Sequence, residues 1–245
     1  NRFDTLNVVV SAAYTDLSGT IIESDKPLWV TGASECANVP AYPTTYCDHL
    51  EEVSIPLEYW GETYVGAHAP QRGNETYHWR VYSGDDMVTI DTDPAQAGFP
   101  LTLDRGEYFQ FEAQESFILT ADGPFMPVQY LESQDAGAGT GDPSMYQMVP
   151  VEQFLNRYAF VTGTGYNQHY AQITRPTGGP PVMVDGQEVN GYYTVGNFEV
   201  ADWPVDEGGH FASSDGDFGI IQVGYTGVTS YAYPGGLKLE VINPQ

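Results

Sequence analysis

Short runs in which apolar and polar residues alternate, broken every few positions by Gly, Pro, Asn or Asp, make up most of this chain. A period of two sends successive side chains to opposite faces, so this texture predicts strands. Tyr77-His78-Trp79-Arg80-Val81-Tyr82 alternates cleanly, and Met87-Val88-Thr89-Ile90-Asp91 follows it across Gly84-Asp85-Asp86, a connection of hairpin type. Leu101-Thr102-Leu103 and Tyr108-Phe109-Gln110-Phe111 flank Asp104-Arg105-Gly106-Glu107 in the same way. Asn7-Val8-Val9-Val10 reads as a further strand. Helical character is confined to Val151–Tyr158, where a turn or two is expected after Pro150. The pattern predicts an all-β fold.

One phrase occurs three times. Ser24-Asp25-Lys26-Pro27-Leu28-Trp29-Val30 returns as Ala121-Asp122-Gly123-Pro124-Phe125 and again as Ser214-Asp215-Gly216-Asp217-Phe218. Its aspartates stand 122 − 25 = 97 and 215 − 122 = 93 residues apart. Each copy joins a polar turn to an apolar run, which predicts a tight connection between two strands. Asp25, Asp122 and Asp215 are read structurally, as turn carboxylates that accept backbone N–H bonds. A second echo relates Ile55-Pro56-Leu57-Glu58-Tyr59-Trp60 to Val149-Pro150-Val151-Glu152-Gln153-Phe154. These repeats predict tandem β-modules of about 95 residues packed as one unit. The expected divisions are 23–115 and 116–210, with 1–22 and 211–245 as partial strands that complete one another. The package is then β-sandwich-like, or closed by pairing of the termini.

Charge narrows the partners. With 33 acidic residues against 8 Lys and Arg, the formal charge is −25, which repels nucleic acid and anionic membrane surfaces. Extracellular proteins, cationic proteins and neutral glycans remain as partner classes, and the charge itself keeps such a chain soluble. No run approaches the roughly 18 apolar residues of a membrane helix. The chain opens on Asn1-Arg2-Phe3 without an initiator Met or a leader pattern, as expected of a mature or excised piece of a larger protein. Cys36 and Cys47 enclose a short loop and are the only cysteines. They read as one local disulfide formed in an oxidising compartment, worth about 2–3 kcal/mol. Half of a metal site is the competing reading, with only His49 nearby.

Four phrases then resemble a known family. They are Cys36-Ala37-Asn38-Val39-Pro40 leading to Tyr46-Cys47-Asp48-His49-Leu50, then Trp60-Gly61, then Gly141-Asp142-Pro143 leading to Glu152-Gln153-Phe154, and last Ser230-Tyr231-Ala232-Tyr233-Pro234-Gly235-Gly236-Leu237. Together they resemble the N-terminal domain family of the IgG-Fc-binding protein, in a bacterial-type member. The resemblance implies an extracellular, disulfide-containing β-module with a binding or adhesive role and no catalytic residues to carry over. It does not imply that this chain binds immunoglobulin.

The residues themselves offer little catalysis. No Gly-x-Ser-x-Gly is present, and His49, His68, His78, His169 and His210 are scattered. Among 33 acids, accidental carboxylate pairs are unavoidable, so a glycoside hydrolase is the least favoured reading. Calcium is the cofactor worth naming, because hard cations want several oxygens. The candidate ligands are Asp85 with Asp86, Asp91 with Asp93, Asp135 with Asp142, and Asp215 with Asp217, although Asp-Gly and Asp-Asp are also ordinary turn formers. Tyr42, Tyr46, Tyr146 and a loop-borne Trp203 are the candidate ligand-binding aromatics. The Gly-rich Asp135–Asp142 segment reads as a mobile surface loop. The leading function is a non-enzymatic, secreted or cell-surface binding and adhesion module. The alternative is a structural subunit whose strand around Phe3–Val10 adds to a neighbour's sheet, giving a homo-oligomer.

Overall fold

The computed structural model describes residues 4–12 and 15–244. Among them the regular structure is β apart from three single-turn 3-10 segments. The first strand starts only at Thr31. β1 (Thr31–Ala37) and β2 (Asp48–Val53) form an antiparallel hairpin with the short loop between the cysteines at its tip. Ahead of it, Asn7–Val10 forms no strand and no ladder, which corrects the expectation of N-terminal strands; Phe3 lies outside the described residues. A β-prone run becomes a strand only when another strand's edge is beside it. Among the described residues the two termini do not pair with one another.

The first sandwich uses β3 (Thr63–Gly66), β4 (Tyr77–Ser83), β5 (Val88–Asp93), β6 (Leu101–Leu103), β7 (Tyr108–Ala113), β8 (Phe117–Ala121), β9 (Phe125–Leu131) and β10 (Ser144–Gln147). They sort into two four-stranded antiparallel sheets, ordered β3-β8-β5-β6 and β10-β9-β4-β7. Trp79, Val81 and Phe111 from one sheet meet Tyr64, Ile90 and Leu119 from the other in a shared core. Trp79, fully buried, sets its ring edge against Phe117 at 5.3 Å.

The remaining strands are β11 (Leu155–Val161), β12 (Gln168–Pro176), β13 (Val182–Val184), β14 (Gln187–Glu188), β15 (Tyr193–Val195), β16 (Phe198–Pro204), β17 (Gly209–Thr226) and β18 (Thr229–Pro234). β17 serves two pairings along its length. Up to Ser214 it ladders with β13, and with β11 over nearly the same stretch. From Gly219 onward it ladders with β12, then with β18. The order β3-β8-β5-β6 is thus matched by β11-β17-β13-β14, and β10-β9-β4-β7 by β18-β17-β12-β16. A division at 115/116 separates β7 from β8, although both belong to the first sandwich.

The repeated phrase has three different fates. Asp25 lies in exposed chain without strand. Asp122 sits in the turn between β8 and β9, and its Oδ1 accepts the Thr89 N–H at 2.7 Å. Asp215 lies inside the continuous β17. Asp122 and Asp215 both mark the place where the chain leaves one sheet for the other. The turns at Gly84–Asp86 and Asp104–Glu107 do the same. β4 and β5 belong to different sheets, as do β6 and β7, so these connections are arches and not the expected hairpins. A short turn is locally compatible with either, and the partners of β4, namely β7 and β9, decide between them. At Val151 the expected helix is one 3-10 turn, Val151–Gln153, before β11 begins.

Candidate functional site

β9 is apolar on both faces: Phe125 and Leu131 enter the core, while Met126 and Val128 are buried on the opposite side. A strand of this kind needs a cover on its second face, and the β1–β2 hairpin supplies it. β2 lies along β10 without a backbone ladder. Gln147 joins them, its Nε2 donating to Val53 O at 2.6 Å and its Oε1 accepting the Ile55 N–H at 3.2 Å. The strands β1-β2-β10-β9-β4-β7 thereby curl into a half-barrel around a cavity of about 660 Å³.

Register defines the cavity walls. Gly32 opposite Glu52 and Ser34 opposite Leu50 form the roof. Arg80 opposite Val128, Tyr82 opposite Met126, and Tyr130 opposite Met145 form the floor. Residues 16–22 close one side. Arg80 Nη1 donates to Asp16 Oδ2 at 3.0 Å and to Ser18 Oγ at 2.8 Å, and Tyr82 OH donates to Ser18 Oγ at 3.2 Å. The guanidinium also lies 5.1 Å from the Tyr108 ring and 5.3 Å from the Tyr130 ring, at cation–π distance. Burial pushes the Asp16 carboxyl up, but the Ser18 N–H and Arg80 outweigh it and hold it below its usual range. Glu52 goes the other way: burial pushes its carboxyl up to about 7, against the lowering effect of its hydrogen bonds to Gln147. The two wall carboxylates are thus engaged, Asp16 by Arg80 and Glu52 by Gln147.

The hairpin tip is an exposed loop held at several points. Cys36 and Cys47 are bonded, with Cα atoms 5.1 Å apart. Asn38 Nδ2 donates to Thr44 O at 2.9 Å, and Ser133 donates from its N–H to Val39 O at 3.0 Å and from its Oγ to Thr45 O at 2.7 Å. Tyr42 and Tyr46 project from this frame, 67% and 45% exposed. Beneath it, buried Arg72 donates to Glu132 O at 2.9 Å and Thr140 O at 3.2 Å. The Asp135–Asp142 segment is consequently a packed loop and not a mobile one: Ala138 is fully buried, and Gly141 N–H donates to Thr226 O at 3.0 Å.

Other expected site residues are placed elsewhere. Tyr146 is fully buried on β10 and its hydroxyl donates to Gln129 Oε1 at 2.6 Å, so it is a core residue and not a ligand-facing one. Trp203 lies on strand β16, against the second core, and not on a loop. Asp85 and Asp86 cap the arch after β4, where Asp85 Oδ1 accepts the Asp86 N–H at 2.8 Å. Asp142 is buried while Asp135 is exposed, and burial holds the Asp142 carboxyl above its usual value. Asp217 pairs with Lys238 Nζ at 2.7 Å beside exposed Asp215. Among the described residues no group of three His, Cys, Asp or Glu side chains forms a metal cluster. Apart from buried Asp142, the aspartates of the pairs chosen from the sequence are turn or surface residues in this structure. The cavity escaped sequence reading, yet its signal was present in Phe125-Met126-Pro127-Val128, a run apolar at both parities.

No curated protein matches this chain, and no solved structure does. A family model described as IgGFc binding protein matches residues 1–224. That match spans nearly all of the β-architecture described above, including the cysteine hairpin and the half-barrel, and the chain belongs to the IgGFc binding protein family.

Proposed function

We propose that this chain is an extracellular, non-enzymatic adhesion module that engages a protein partner through the tip of the β1–β2 hairpin. The family supports a protein-binding role, and the disulfide suits an oxidising compartment. Among the described residues no helix is long and apolar enough to cross a membrane. The observation that carries the reading is the contrast within one loop. Its backbone is pinned by the disulfide, Asn38 and Ser133, while Tyr42 and Tyr46 stay exposed. Aromatic rings on a rigid loop bury large area at low entropic cost, because little conformational freedom remains to be lost.

The test is biolayer interferometry with immunoglobulin Fc fragment as the first protein probe and a neutral glycan array as the competing ligand class. Tyr42→Ala with Tyr46→Ala is expected to weaken protein binding about tenfold or more, the loss of roughly 1.4 kcal/mol or more at an aromatic anchor. Protein binding that survives the double substitution rules out the hairpin tip. Binding confined to the glycan array moves the partner class from protein to carbohydrate.

A further inference from the structure

We propose that the open side of the half-barrel receives residues Leu6–Val10 of a second copy of this chain as an added strand, joining copies head to tail. Among the described residues β1 is laddered only to β2, and β7 only to β4, so the curl ends there on two edges without a further strand, with the cavity of about 660 Å³ between them. Unpaired edges are templates for a further strand, and main-chain bonds along them do not depend on side-chain identity. Residues 16–22 border this gap without forming a strand. Arg80 and Tyr82 donate side-chain bonds to Asp16 and Ser18, and Gly19 packs against the Gly106 backbone.

A few residues upstream lies a run with strand composition and no strand partner. Leu6, Val8, Val9 and Val10 are 86%, 60%, 75% and 40% exposed. In an extended strand Leu6, Val8 and Val10 share one face. That face complements the apolar cavity lining of Ile22, Val30, Leu50, Met126 and Val128. The roof leaves room for it, since a Cβ placed on Gly32 would meet nothing within 4 Å.

Charge favours this segment as the donor. Two copies that each carry a formal charge of −25 repel one another. Residues 5–12, Thr-Leu-Asn-Val-Val-Val-Ser-Ala, carry no charge and reach the second copy without a like-charge penalty. A strand this short buries less than the roughly 1,000 Å² of a stable specific interface, so the contact is a weak one that forms at high protein concentration. Donor and acceptor are different surfaces, so the contact is heterologous and propagates into rings or filaments. It is independent of the hairpin tip, because Gly32 and Tyr42 stand at opposite ends of the β1–β2 hairpin.

Sedimentation velocity of the full chain from micromolar to millimolar concentration tests the proposal. The expected result is growth beyond the monomer that Val8→Asp with Val10→Asp abolishes and that Gly32→Phe, which fills the roof, also abolishes. Val161→Asp removes an equally exposed apolar side chain elsewhere and leaves growth unchanged, as does Tyr42→Ala with Tyr46→Ala. Mixing a Val8→Cys chain with a Ser34→Cys chain under mild oxidation should yield a disulfide-linked heterodimer on a non-reducing gel, a readout that does not depend on Gly32→Phe folding. A monomer at every concentration, or growth that survives Val8→Asp with Val10→Asp, overturns the proposal.

Discussion

At the scale of single residues, Glu52 shows how a wall of the cavity couples to pH. Its carboxyl has been moved from an ordinary 4.5 to about 7, chiefly because the hairpin buries it over the sheet. A carboxyl raised on folding contributes its full stability below the unfolded value, and that contribution is lost as pH rises through the folded one. Stability should therefore decline between about pH 4.5 and 7. Glu52→Gln keeps the shape and an acceptor for Gln147 but cannot ionise. Its melting temperature should match the parent near pH 4 and exceed it at pH 8. The full shift corresponds to about 3 kcal/mol, and solvent reaching the open side of the cavity reduces the expected gap to about 1–2 kcal/mol. Circular dichroism melts at the two pH values check this. A gap that stays constant with pH would mean that burial of the charge is not what perturbs the group.

At the scale of elements, the same clamp is built twice. Tyr64 OH accepts the Gly61 N–H at 3.0 Å and donates to Phe125 O at 2.7 Å. Tyr158 OH accepts the Leu155 N–H at 2.9 Å and donates to Phe218 O at 2.6 Å. In both, the Tyr and Phe rings meet edge to face, at 4.8 Å and 5.0 Å. Each clamp ties the start of one strand to the point where the chain crosses between sheets, beside Asp122 or Asp215. Tyr158→Phe should leave one N–H and one C=O without this partner and cost about 1–2 kcal/mol. The urea midpoint should fall with an unchanged slope, since the surface exposed on unfolding is the same.

These clamps also show what the sequence could and could not disclose. The prolines at 56 and 150, the aspartates at 122 and 215 and the tyrosines at 64 and 158 are local, and their echo is legible by eye. Strand content was legible for the same reason, because alternation in Tyr77–Tyr82 requires only the residues themselves. Pairing is not local. Nothing within Gly84-Asp85-Asp86 distinguishes an arch from a hairpin, and nothing within Asn7–Val10 says that no strand lies beside it. Tyr146 is fully buried and Trp203 sits on a strand and not on the expected loop, because their surroundings are set by β9 and by the second core, far away in sequence. The exposed tip at Tyr42 and Tyr46 was legible because its frame, Cys36 to Cys47, closes within a few residues.

At the scale of the molecule, the two sandwiches do not stand apart. A third core joins them: Val65, Ala67 and Ile118 from the first meet Val195, Phe198 and Val200 from the second, with Val149 and Phe154 of the connecting segment among them. The first core itself includes Ile221, Val223 and Tyr225 of β17. Phe154 is the hinge of this arrangement. It is buried, and its ring lies so close over Gly219 that a Cβ there would clash with it at 2.5 Å. Unfolding either sandwich alone would expose the joint face of the other, so the chain should melt in a single transition despite its length. Phe154→Ala removes a ring from the joint and should cost about 3–4 kcal/mol. For a chain of this size that corresponds to a fall in melting temperature of about 6–16 °C. Differential scanning calorimetry separates the two ways this could occur. If the joint supplies the cooperativity, the variant melts earlier and its single peak broadens or divides as the sandwiches come uncoupled. If it only fills space, one sharp peak moves down intact. Two resolved peaks in the parent would instead mean that each sandwich is stable by itself and that the shared core contributes little to holding them together.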